Sequence, residues 1–226
     1  MTEDAVVARV RTILDYNKTS SKLDGLDVMG GLDLDTIIKD SIPGALQQLG
    51  LVVPVELTSV SEEVLSNSTI VNGTLIAKPL DAPYTIKVPS NYLRFVSCQA
   101  DNWTYPVTRL AEVGSKEHLK QFGEFDGLKA TEHNPIAVIQ TGRTGMEVVL
   151  YGGVGAFQAV LYYIPTLSLE DLDARLEEPL CYIVASLVCE VLKDTNKSQM
   201  LMQTAQSLMV TAEAIGQNIN NTNTEQ

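Results

Sequence analysis

The sequence predicts an α+β protein, with helices toward both ends of the chain and a β-rich middle, and three observations predict it. Apolar residues repeat every three to four positions over residues 1–50 and again over 166–216. Between these zones, residues 51–165 switch to alternation, β-branched runs and turn residues. The chain has 226 residues. That length can bury about 70% of the unfolded surface, so folding does not need metals or disulfides.

Each element follows in order. Val6, Val7, Val10, Ile13 and Leu14 share one face of a short first helix. Ser, Asp and paired glycines between Lys18 and Gly31 break the pattern. A second helix carries Leu34, Ile37, Ile38, Ile42, Ala45, Leu46 and Leu49 on one stripe, with Asp33 as N-cap and Gly50 as its end. Pro43 is expected to kink or split it.

In the middle zone Thr69–Ile76 reads as a hairpin, because Asn72-Gly73 supplies the positive φ angles of a two-residue turn. Further strands are expected at Tyr84–Val88, Leu93–Gln99, Ile136–Thr141, Met146–Tyr151 and Ala156–Ile164. The turns fall at Gly142–Gly145 and Gly152-Gly153, and only Ser115–Phe122 reads as helix. The zone can close as a barrel or fold as a sandwich.

After Pro165, Leu169, Leu172 and Leu176 predict a short helix capped by Ser168, and Pro179 stands where a new helix can start. Leu180, Ile183, Val184, Leu187, Val188 and Val191 form the stripe of that next helix. Leu201, Ala205, Leu208, Ala212 and Ile215 form the stripe of the last one, and the two should pack as an antiparallel pair. Residues 217–226 are dominated by Asn, Thr and Gln and are expected to be a flexible polar tail.

Composition excludes several function classes. With 28 acidic against 16 basic residues the net charge is −12, so a DNA- or RNA-gripping surface, which needs clustered Lys and Arg, is not expected. Cys98, Cys181 and Cys189 cannot all pair, and the last two sit in an apolar run, so they read as reduced core thiols. Asp4, Arg9, Arg11 and Asp15 interrupt the first residues too often for a secretory signal. Leu180–Leu192 and Val154–Ile164 are too short for a membrane span of about 20 residues. The six Asn-x-Ser/Thr sequons therefore reflect composition.

Reactive chemistry is not legible either, and no enzyme is expected. Gly152-Gly153-Val154-Gly155 lacks the pattern of a phosphate loop and lies between strands. His118 and His133 have no cysteine or second histidine at metal-ligand spacing. Asp24, Asp27, Asp33 and Asp35 do not match a calcium loop, and no nucleophile elbow is present. No cofactor or metal is expected.

Two features suggest contacts instead. Trp103, the single tryptophan, follows a strand and reads as a core anchor or, on an exposed loop, as a partner hot spot. Met200, Met202 and Met209 give the last helix apolar residues on more than one face, more than one helix pair needs to bury. The candidate interface residues are Leu201, Met202, Leu208, Met209, Ile215 and Trp103.

The runs Val88–Ser97, Trp103–Val107, Asn134–Val138 and Tyr162–Pro165 resemble structural proteins of tailed phages infecting Bacteroidetes, the crAss-like group. Leu176–Met209 resembles the helix pair of phage head-to-tail connector (adaptor, or neck ring) proteins. In that family N- and C-terminal helices form a bundle into which a β-rich domain is inserted. The resemblance implies bundle segments at 1–50 and 166–216 around an insertion at 51–165.

It also implies a virion protein, assembled in the host cytoplasm, that forms a closed ring with itself, typically of twelve copies. The ring would bind the portal protein on one side and further neck or tail proteins on the other, with no membrane. Genomic DNA would pass through it, and an acidic lumen would let phosphates slide without sticking. The alternatives are another virion component, such as a tail or head-fibre attachment protein, or an enzyme built on paired acids of the β body.

Overall fold

The structure, a computed structural model, describes residues 1–15, 33–66, 68–71, 74–77, 84–142, 145–152 and 158–223. In chain order come α1 (Glu3–Asp15) and α2 (Leu34–Val52), then β1 (Ser61–Ser66), β2 (Ser68–Val71), β3 (Thr74–Ala77), β4 (Tyr84–Lys87) and β5 (Tyr92–Ala100). These are followed by α3 (Lys116–Lys120), β6 (Ile136–Gly142), β7 (Gly145–Tyr151), β8 (Gln158–Pro165), α4 (Glu177–Val191) and α5 (Thr195–Asn223). The protein is thus mixed helix and sheet. It divides into a helical unit, Met1–Ser59 with Thr166–Gln226, and a β unit, Val60–Pro165, inserted in sequence between them.

The helical unit has one core. Val6, Val7, Val10, Ile13 and Leu14 of α1 and Ile37, Ile38, Ile42, Ala45, Leu46 and Leu49 of α2 are all buried in it. α2 runs through Pro43 without splitting, and it passes Gly50 to end at Val52. Asp33 holds the N-cap position, but its side chain makes no capping hydrogen bond. Residues 51–59, assigned to the β zone from sequence, belong to this unit, and Leu57 on a 3-10 turn is buried in its core.

α4 contacts α1, α2 and α5. Its near-continuous apolar sequence also buries Cys181, Ala185, Ser186 and Cys189 off the expected stripe, as befits a helix covered on several sides, while Leu187 of that stripe is half-buried and Val191 at its end is 44% exposed. The short helix expected before it is absent. Ser168 instead bonds Asp171, Asp173 accepts from the Arg175 N–H at 2.8 Å, and only Ala174–Leu176 turns, as a 3-10 segment. Leu167, Leu169 and Leu172 still pack on the core, so the apolar spacing reports burial without a helix.

The turn from α4 to α5 is tight. Lys193 adopts φ 61°, its N–H donates to the Glu190 carbonyl at 3.0 Å, and the Asp194 N–H donates to the Cys189 carbonyl at 2.9 Å. This is the paired bonding of a Schellman C-cap, with lysine in place of glycine. The Asp194 carboxylate then accepts from the Lys197 N–H at 3.2 Å and starts α5. α5 continues past Gly216 to Asn223, where the sequence reading placed a flexible tail from residue 217. No proline interrupts that stretch, and each added residue completes one more helical hydrogen bond.

Of the two arrangements the sequence allows for this zone, a barrel or a sandwich, the described strands do not form the closed barrel: they make three open sheets, with orders β1-β8-β5, β2-β3 and β4-β7-β6. β2 and β3 pair with Val71 opposite Thr74, while the Asn72-Gly73 turn itself lies outside the described residues. Arg143, Thr144 and Gly153 also lie outside them. Between the two three-stranded sheets, Val107 exchanges both backbone bonds with Cys98 of β5, and the Ala111 N–H donates to the Ala137 carbonyl of β6 at 2.8 Å. A single extended segment thus ties the two sheet edges without becoming a strand. Residues of both sheets share one apolar cluster with Trp103, Leu150 and Leu161.

β1 was not expected from sequence. Its Ser-Glu-Glu start has low strand propensity, and pairing with β8, Ser61 opposite Tyr163 through Ser66 opposite Gln158, holds it.

Candidate interaction surface

The residues singled out from sequence do not gather on one surface. Trp103 is only 4% exposed and belongs to the β-unit core, its indole N–H buried without a hydrogen-bond partner among the described residues. Its backbone is fixed by Gln99, whose side-chain amide donates to the Trp103 and Ala100 carbonyls. Leu201 and Met209 are buried in the helical core with Ala205 and Ala212. Met202 and Leu208 are half-buried, and the side chain of Ile215 lies outside the described residues. The buried line of α5 is therefore 201, 205, 209 and 212, with Met209 taking the place expected for Leu208.

Reactive groups are dispersed. Burial pushes the Cys98 and Cys181 thiols up to about 12, which keeps them protonated and poorly nucleophilic. No group of three His, Cys, Asp or Glu side chains could hold a metal among the described residues. The Thr104 hydroxyl lies 2.6 Å from His133 Nδ1, and His133 Nε2 lies 3.5 Å from Glu132. This set is open to water on the protein surface.

The surface that stands out is apolar. It is built by the segment between the Val107–Ala111 tie and β6. Ser115 caps α3 by accepting the His118 N–H at 3.3 Å, and the buried His118 ring accepts the Gly114 N–H at 2.9 Å. The ring also meets Phe122 edge-on at 5.1 Å. Gln121 closes the segment, its Oε1 accepting from the Ala130 N–H at 2.8 Å and its Nε2 donating to the Glu117 carbonyl at 2.9 Å. A 3-10 turn at Asp126–Leu128 and the Lys129–Asp126 ion pair complete it.

This ordered segment presents Leu119, Phe122, Phe125 and Leu128 to solvent, at 59, 68, 74 and 57% exposure. Lys116, Leu119, Lys120, Gly123, Phe125 and Leu128 line a shallow groove of about 470 Å³. Large apolar residues held open by a hydrogen-bonded framework mark a contact surface more than a folding defect. Sequence reasoning missed it. The available signal was four large apolar residues spaced by three around Gly123 and Gly127, in a segment too short to bury them as a helix.

No protein-family model and no curated protein matches the chain.

Proposed function

We propose that the protein is a structural subunit of the tailed-phage neck, one copy of a ring that joins the portal to the tail and lets DNA pass. The observation that carries this reading is the ordered apolar groove at Lys116–Leu128, a surface suited to contact with another protein. In support, helices from both parts of the chain share one core and the β unit is inserted between them in sequence, the order of connector proteins, in which the helices form a bundle. The net charge of −12 suits a channel past which phosphates slide.

Ring contacts are heterologous, so a subunit needs two different surfaces that match each other. The test is the mass of the purified chain with and without portal protein. The expected result is a defined higher-order assembly, and assembly on the portal in particular. A chain that stays monomeric with portal protein and is missing from purified particles contradicts the reading, while a chain found only on head or tail fibres favours an attachment protein.

A further inference from the structure

We infer that the Lys116–Leu128 groove receives the acidic edge strand β1 of a second copy of this chain, an inference that rests on the ring reading above. The groove walls are Leu119, Phe125 and Leu128, and its charged groups are Lys116 and Lys120, with no acid among the lining residues. Neither lysine has an ion-pair partner among the described residues. In a chain of net charge −12, copies repel one another, so a site where two can meet must bring cations to one side.

β1 supplies the complement. Val60, Glu62 and Val64 alternate, so they share one face, and Val60 and Val64 are 42 and 59% exposed. Across the ladder Glu62 faces Tyr162 and Val64 faces Val160, both half-buried, which widens the apolar surface around one carboxylate. Glu62 has no ion pair among the described residues. Among the described strands β1 pairs with β8 alone, so it is an edge strand, with Val60 just before it and Val64 within it exposed, a feature that calls for cover.

The two surfaces lie on different elements. β1 is at the edge of its sheet away from β5, whereas α3 contacts β6. One copy's groove can therefore take the next copy's strand while its own β1 stays available, which is the head-to-tail pattern that closes into rings. Val60 and Val64 would fill the apolar walls, and Glu62 would stand between Lys116 and Lys120.

Sedimentation of the full chain from micromolar to about 1 mM, the range of weak specific contacts, tests this. The wild type should associate with increasing concentration. Lys116→Glu with Lys120→Glu should weaken association by about tenfold or more, Glu62→Lys should do the same, and combining all three should recover most of it. Phe125→Ser should weaken it without recovery by any charge change. Lys116, Glu62 and Phe125 are exposed and Lys120 is half-buried, and unchanged circular dichroism checks that the variants fold. Association that ignores the reversals, or that the combined variant fails to restore, overturns this contact and leaves the ring reading standing. A monomeric wild type also overturns it, whereas the ring reading falls only if the chain is absent from the particle neck.

Discussion

The Ser186 hydroxyl donates to the Ser198 carbonyl at 2.9 Å and lies 3.0 Å from the Ser198 hydroxyl, with both residues buried between α4 and α5. The Ser198 hydroxyl also donates to Glu190 at 3.2 Å. Buried polar groups cost free energy unless paired, so this contact fixes the register of the two helices where apolar packing alone would tolerate sliding. Ser186→Ala removes a buried hydrogen bond to the Ser198 carbonyl, which keeps its place in the α5 ladder, and should lower stability by about 0.5–1.5 kcal/mol, read from denaturant unfolding. An unchanged midpoint would mean that water replaces the hydroxyl at no cost.

The turn that follows carries a residue in a conformation suited to glycine. Lys193 sits at φ 61°, where a Cβ is strained, and its amide keeps the C-cap bond to Glu190. Lys193→Gly should raise stability by about 1 kcal/mol, since the relief of the left-handed strain exceeds the added chain entropy. Thermal unfolding should show a higher Tm, and a lower one would place the lysine side chain in a stabilising role.

On α5 the structure separates two neighbours that the sequence pattern exchanges. Met209 is buried in the helical core, whereas Leu208 is half-buried. Met209→Asp should cost several kcal/mol, about 3–5, by placing an unpaired carboxylate in the core. Leu208→Asp should cost distinctly less, because its carboxylate can reach water. Equal losses would mean that α5 is covered on both faces.

This exchange shows where sequence legibility ends. α1 and α2 have one apolar stripe each, and every stripe residue but Leu34 is buried, because only one helical phase fits Val6–Leu14 or Ile37–Leu49. α5 has Met200, Leu201, Met202, Leu208, Met209 and Val210, which fit two phases, and only contact with α4 selects between them. Strands β4 to β8 were visible through β-branched runs, but Ser61-Glu62-Glu63 became a strand by pairing with β8, which no local preference announces. Exposure at Phe125 and Leu128 was illegible for the same reason: apolar residues read as core until their surroundings are known.

The cysteines carry a pH dependence with a definite sign. Burial raises the Cys98 and Cys181 thiols to about 12, above the ordinary value of 9.0 that they regain on unfolding. Their contribution to stability is therefore full below pH 9.0 and is lost as pH rises toward about 12, where the unfolded chain ionises first. Stability should fall on that alkaline limb, and less steeply in Cys98→Ala measured against its own neutral-pH value. A thiol reagent at pH 8 should find all three cysteines unreactive in the native chain, since all are buried. Rapid reaction without denaturant would show that the core opens.

The central claim, that this chain is a neck ring subunit, implies that a tailed phage encodes it, and electron microscopy of that phage's particles tests it most directly. The helical core of α1, α2, α4 and α5 and the inserted β unit should each fit repeated density in a closed ring between portal and tail. A neck whose density is filled by other chains, with this one absent or confined to fibres, would contradict it.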